Sequence, residues 1–155
     1  MDYEATIVAL SKRIDALETQ LKRLEQAHIH TRANTKVSDV MLKACYDAGI
    51  AAAFEGNSDF NAYTEQVCFK TRMNPGTARI LIMTAYALKQ GELFKCIISG
   101  KAAEFFLEQL QKDFGAEGLQ RGLSALELHI QYRRSLKRDT TLLEKIANQF
   151  KENIN

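Results

Sequence analysis

The side chains in this sequence best suited to chemistry are cations set among small and apolar residues. Lys70, Arg72, Thr77 and Arg79 crowd one short stretch. Lysine and arginine neutralise phosphate oxygens, while an arginine near the start of a helix can pair with the acceptor edge of a guanine and a threonine can supplement it. A second set, Arg133, Arg134, Lys137 and Arg138, stands beside Tyr132, with Arg134 and Arg138 one helical turn apart. That set suits a phosphate. Its competing reading is a solvated helix end, where cations are stabilised by the negative end of the helix dipole.

The first set has a framework around it. From Val67 to Leu81 the sequence has the general form of a helix-turn-helix: a helix, a break at Arg72, Met73 and Asn74, and a second helix opening with Pro75, Gly76 and Thr77. Small Cys68 falls where the first helix must approach the second, Met73 falls in the turn, and Ala78 and Leu81 face inward. Thr77 and Arg79 then lie early on a recognition helix, and Lys70 and Arg72 contact phosphates. Two features count against this reading. After its first turn the second helix offers only Arg79, Thr84 and Lys89 as polar outward residues, and Arg72 occupies the place where a turn glycine is expected. The plainer alternative is two core helices joined by a capped turn.

Other residues converge less. His28 and His30 point about 200° apart on a helix and cannot share one ion within a chain. Across an oligomer, His28 forms a polar layer that sets register. His129 stands alone near Arg133 and reads as a surface or half-buried residue. Gly115, Gly118 and Gly122 do not match a phosphate-binding loop, and no strand precedes them. Glu104 and Glu108 share an outer helix face with nothing opposite. No nucleophile, base and orienting group are persuasively spaced, so the reading is a non-enzymatic protein with no cofactor and no metal. The 3 cysteines, Cys45, Cys68 and Cys96, are odd in number and form no CxxC. They read as small, reduced hydrophobes.

The elements that position these residues are helical. A single proline and the absence of alternating β-branched runs predict an all-α fold. Residues 1–33 carry a heptad repeat with Ile7, Ile14 and Leu21 at a and Leu10, Leu17 and Leu24 at d. Arg13 can reach Glu18, and Gln20 can reach Glu25, across a parallel partner. The expectation is a parallel coiled coil, with a dimer favoured. The alternative is an amphipathic helix folded onto its own domain.

A break near 31–37 separates the coil from a compact multi-helix domain over 34–155. Its first helix starts at Ser38, carries Val40, Met41, Ala44, Cys45, Ala48, Ala51 and Ala52 inward, and ends near Gly56. A helix over about 59–71 presents Phe60, Tyr63 and Val67. The next runs from Pro75, capped by Asn74, to Gly91, with a broad apolar face. Ala103, Phe106, Leu107, Leu110 and Phe114 mark a further helix ending at Gly115, followed by a loop or a weakly started helix through Gly118 and Gly122. A last helix opens with a Thr141 and Glu144 capping box and an inner stripe of Leu143, Ile146, Ala147, Phe150 and Ile154.

Length and charge bound the function. A chain of 155 residues with 46% hydrophobic and 26% charged residues is that of an ordinary soluble protein. Its net charge of +2 is too small for strong non-specific binding to a polyanion, so any such binding must be local. Neither a signal segment nor a membrane span is apparent, and a cytoplasmic, intracellular location is expected. Two functions follow: an oligomeric nucleic-acid-binding protein, with DNA or RNA open, or a coiled-coil adaptor, assembly or inhibitor protein that binds another protein.

Overall fold

Because the one proline falls at the first position of a helix, where its missing N–H costs nothing, the backbone is free to stay helical over long spans. The computed structural model describes residues 3–33 and 36–154, with the backbone alone described at 26–33. It contains six helices and no strand among the described residues: α1 (Tyr3–Ala33), α2 (Asp39–Glu55), α3 (Asn61–Thr71), α4 (Pro75–Gln90), α5 (Gly100–Ser135) and α6 (Thr141–Glu152). The chain divides into two units, Met1–Lys36 and Val37–Asn155.

The first unit is α1. Its heptad residues Ile7, Leu10, Ile14, Leu17, Leu21 and Leu24 are each more than half exposed. The helical backbone continues to Ala33, further than the expected break. The polar layer expected at His28 and the break at 34–35 lie outside the described residues.

In the second unit α2 begins as the sequence implies. The Ser38 hydroxyl accepts from the Met41 N–H at 3.3 Å, and Gly56 ends the helix. Its buried face is not the expected one. Leu42, Cys45, Tyr46, Gly49 and Ala52 are buried, whereas Val40 is 75% exposed and Ala44, Ala48 and Ala51 are only partly covered. A helix apolar on most sides does not declare which side is covered, and here the choice is made by Gly49. A Cβ at that position would stand 2.7 Å from the Ile82 carbonyl oxygen, 2.7 Å from Ala85 Cβ and 2.9 Å from the Tyr86 nitrogen. The backbones of α2 and α4 therefore meet there.

The turn before α3 is built from two side-chain bonds: Asn57 Oδ1 accepts from the Asp59 N–H, and Asp59 Oδ1 from the Asn61 N–H. Helix α4 is capped by Asn74, whose Oδ1 accepts from the N–H groups of Gly76 and Thr77. This helix packs on α2, α3 and α5, and it buries Ala78, Leu81, Ile82, Thr84, Ala85, Ala87 and Leu88. Thr84, expected outward, is fully buried and donates to the Ile80 carbonyl at 2.8 Å. That bond satisfies its hydroxyl without an outside partner, which is why a polar residue fits the core face. A segment outside any helix follows over 92–98, with Phe94 and Ile98 buried and Leu93 and Ile97 outward.

Helix α5 breaks at Gly115, whose φ of 67° and ψ of −153° lie outside the helical region. A straight helix would hold Gly122 about 22 Å from Leu107. Instead a Cβ on Gly122 would stand 2.9 Å from Leu107 Cδ2 and 2.8 Å from Leu110 Cδ1. The helix has folded back on itself. Gly118 and Gly122, expected in a loop or a weakly started helix, lie in a helix and are the small surface on which the two halves pack. At the other end the expected capping box does not form: Asp139 Oδ1 takes the Thr141 N–H and hydroxyl, and Glu144 pairs with Arg134.

The contact at Gly49 yields a prediction. Alanine in mid-helix ordinarily gains about 1 kcal/mol over glycine. At Gly49 the neighbours are largely backbone and cannot yield, so Gly49→Ala should destabilise by about 1–3 kcal/mol. Urea unfolding should show a lower midpoint with an unchanged slope.

Candidate nucleic-acid interface

The connection between α3 and α4 has three residues with separate tasks. Arg72 turns the chain in the left-handed region, at φ 62°, and its N–H donates to the Cys68 carbonyl at 2.8 Å. A side chain in that conformation costs about 1–2 kcal/mol relative to the right-handed region. Met73 drops beneath the turn and is 2% exposed. Thr71 steadies it, since its hydroxyl donates to the Val67 carbonyl and accepts from the Met73 N–H. Asn74 then caps α4.

Cys68, Met73, Ala78 and Leu81 are all buried, as the helix-turn-helix pattern requires. Lys70, Arg72 and Arg79 are exposed, and Thr77 is half-buried. Arg79 is held in place: its Nη1 donates to Asn61 Oδ1 at 2.6 Å, tying the first turns of α4 to the start of α3. A guanidinium has further donors, so this bond orients the group and leaves other N–H edges outward. Sequence reasoning passed over Phe69, which is 88% exposed between Cys68 and Lys70. The available signal was its place off the inward stripe of Tyr63 and Val67.

The second cation set is differently placed. Arg133 is half-buried, Arg134 is bonded to Glu144, and Lys137 and Arg138 are exposed. Lys137 turns the chain at φ 58°, and its N–H donates to the Arg134 carbonyl while that of Arg138 donates to the Arg133 carbonyl. These residues close the carbonyl end of α5, so the dipole accounts for part of the cluster. Lys95 Nζ lies 5.5 Å from the Tyr132 ring and adds a cation beside it. Among the described residues α3 packs only on α2 and α4, and α6 only on α5. Lys70 thus stands on an element that does not touch α5 or α6, whereas Arg79 stands on α4, which packs on α5.

His129 is not at the surface. It is fully buried, its ring stacks on Phe94 at 4.2 Å, and its Nδ1 lies 2.7 Å from the Phe94 carbonyl oxygen. A carbonyl requires a donor, so the proton is assigned to Nδ1, and Nε2 has no partner among the described residues. Burial lowers its pKa, helped by nearby Arg133 and opposed by the bond to Phe94. This histidine anchors the 92–98 segment to α5. Among the described residues no three His, Cys, Asp or Glu side chains converge as for a metal ion.

No known protein family, curated protein or solved structure matches the chain.

The environment of His129 sets a pH dependence. Its folded pKa lies below its ordinary value of 6.5, so the unfolded chain takes up a proton first as pH falls. The stability contributed by the neutral ring is complete above pH 6.5, declines below it, and levels off once pH drops under the folded value. Urea midpoints measured from pH 7.5 downward should fall in that window for the wild-type chain. The His129→Gln protein should be less stable throughout and should lack this decline.

Proposed function

We propose that the protein is an oligomeric, non-enzymatic nucleic-acid-binding protein, in which α1 pairs two chains as a parallel coiled coil and each chain offers α3, the turn and α4 to a duplex. The observation that carries this reading is the partition at the turn: Cys68, Met73, Ala78 and Leu81 are buried while Lys70, Arg72 and Arg79 are exposed on the same short stretch. The left-handed Arg72 adds support, because a costly backbone conformation retained by an exposed cation is intelligible where the cation is used. Pairing is supported by the exposed heptad stripe and by the Arg13 to Glu18 register. It matters energetically, since a net charge of +2 supplies little general attraction and two weak sites on one scaffold reinforce each other. Arg133, Arg134, Lys137 and Arg138 then serve as additional phosphate contacts, with Arg134 the weakest because Glu144 already holds it.

A second reading, an adaptor or assembly protein acting on another protein, is favoured by Phe69, 88% exposed, and Val40, 75% exposed. Exposed side chains of this size suit an apolar partner surface. No helix among the described residues is long and apolar enough to cross a membrane, and an intracellular site of action accords with either reading.

The two separate on titration. Against a duplex selected from a randomised pool, affinity should fall steeply with salt, and Arg79→Ala should cost about 1–3 kcal/mol of specific binding. Lys70→Ala should weaken all sequences alike and reduce the salt slope by about 1. Arg72→Gly should do the same while raising stability by up to about 1 kcal/mol, as the strained turn relaxes. Salt-independent or absent binding, with all three variants like wild type, would leave the adaptor reading.

Assembly has its own measurement. If α1 makes the oligomer, deleting residues 1–33 should give a folded monomer by light scattering. An unchanged oligomeric mass would place the interface on the second unit.

A further inference from the structure

Two sulfur atoms meet beneath the turn between α3 and α4, and a third belongs to the same buried core. Cys45 of α2 is fully buried, and its Sγ lies 3.6 Å from the Sδ of Met73. Cys68 of α3, also buried, lies within electrostatic reach of the Cys45 thiol. Cys68 and Met73 belong to one stretch of chain, and the fold brings Cys45 against Met73. Because no three His, Cys, Asp or Glu side chains converge among the described residues, no carboxylate or imidazole completes the thiol pair. The third donor is a thioether.

We propose that Cys45, Cys68 and Met73 form a binding site for a soft monovalent metal ion, copper(I). Thiolate and thioether donors together select copper(I) over the divalent ions that prefer nitrogen and oxygen. Zinc is bound by Cys, His and carboxylates, usually four of them, and a thioether is not among its ligands. Sulfurs about 2.3 Å from a central ion and spread evenly around it stand about 4 Å apart, so the 3.6 Å between Cys45 and Met73 needs to open by only tenths of an ångström. Packing alone would ask only for shape. A well-packed core of leucine and alanine meets that need without placing soft donors in contact.

On binding, both thiols release their protons to solvent, and the ion takes two thiolates and the thioether with no change of oxidation state. The bound ion joins α2, α3 and the turn that carries Arg72. The site does not depend on the nucleic-acid reading, and its test involves no nucleic acid.

The test uses the full-length, reduced protein without oxygen, titrated with copper(I) against a chromophoric chelator and weighed by native mass spectrometry. One ion per chain is expected. Met73→Leu conserves volume and should keep the helical circular dichroism spectrum, yet weaken binding by about tenfold or more, as should Cys45→Ser. Cys96→Ser, outside the cluster, should bind as wild type does. No ion retained by the wild-type protein, wild-type affinity in a folded Met73→Leu, or loss of binding in Cys96→Ser would each overturn the proposal.

Discussion

The second unit depends on the close approach of α2 and α4 at Gly49, where a single missing Cβ lets one backbone lie against the other. That contact commits Leu42, Cys45, Tyr46 and Ala52 to the interior and turns Val40 out. It also makes α4 the shared wall of the unit, packed on α2, α3 and α5 at once. A helix so enclosed has only its first turns left for contact with a ligand. The exposed cations at Arg72 and Arg79 therefore sit at the N-terminal end of α4, and the Asn74 cap lies between them.

Polar groups inside the unit are placed to stabilise connections. Thr84 returns its hydroxyl to its own helix, and His129 holds the 92–98 segment through one carbonyl bond and one stacked ring. At the α3 to α4 turn the same economy is absent. Arg72 occupies a left-handed position that glycine would fill at lower cost, and the buried Cys45 thiol adjoins the Met73 thioether where hydrocarbon would pack as well.

Charge is organised by chain geometry as much as by composition. The tertiary structure places Lys70 on α3, Arg72 in the turn, Arg79 on α4 and Arg133 to Arg138 at the end of α5; among the described residues α4 packs on α5 and α3 does not. Part of the second group is spent internally, on Glu144 and on the carbonyl end of α5.

Helix class and the ends of α2 and α4 were legible in the sequence, because they rest on local chemistry. Ser38, Asn74, Pro75, Gly56 and Gly91 act within a turn of where they stand, and the apolar spacing of Ala103 to Leu110 and of Leu143 to Phe150 repeats with the helix itself. Within the candidate interface, the inward set of Cys68, Met73, Ala78 and Leu81 was legible for the same reason. What only the tertiary structure decided was everything that depends on a neighbour remote in sequence. It chose the buried face of α2, the reversal of α5 at Gly115, the burial of Thr84 and His129, the pairing of Arg134 with Glu144, and the meeting of Cys45 with Met73. A helix apolar on several sides has no intrinsic inside, and a glycine in it reads equally as a break or as a contact. The choice is made when another backbone arrives, and no residue within a turn or two carries that information.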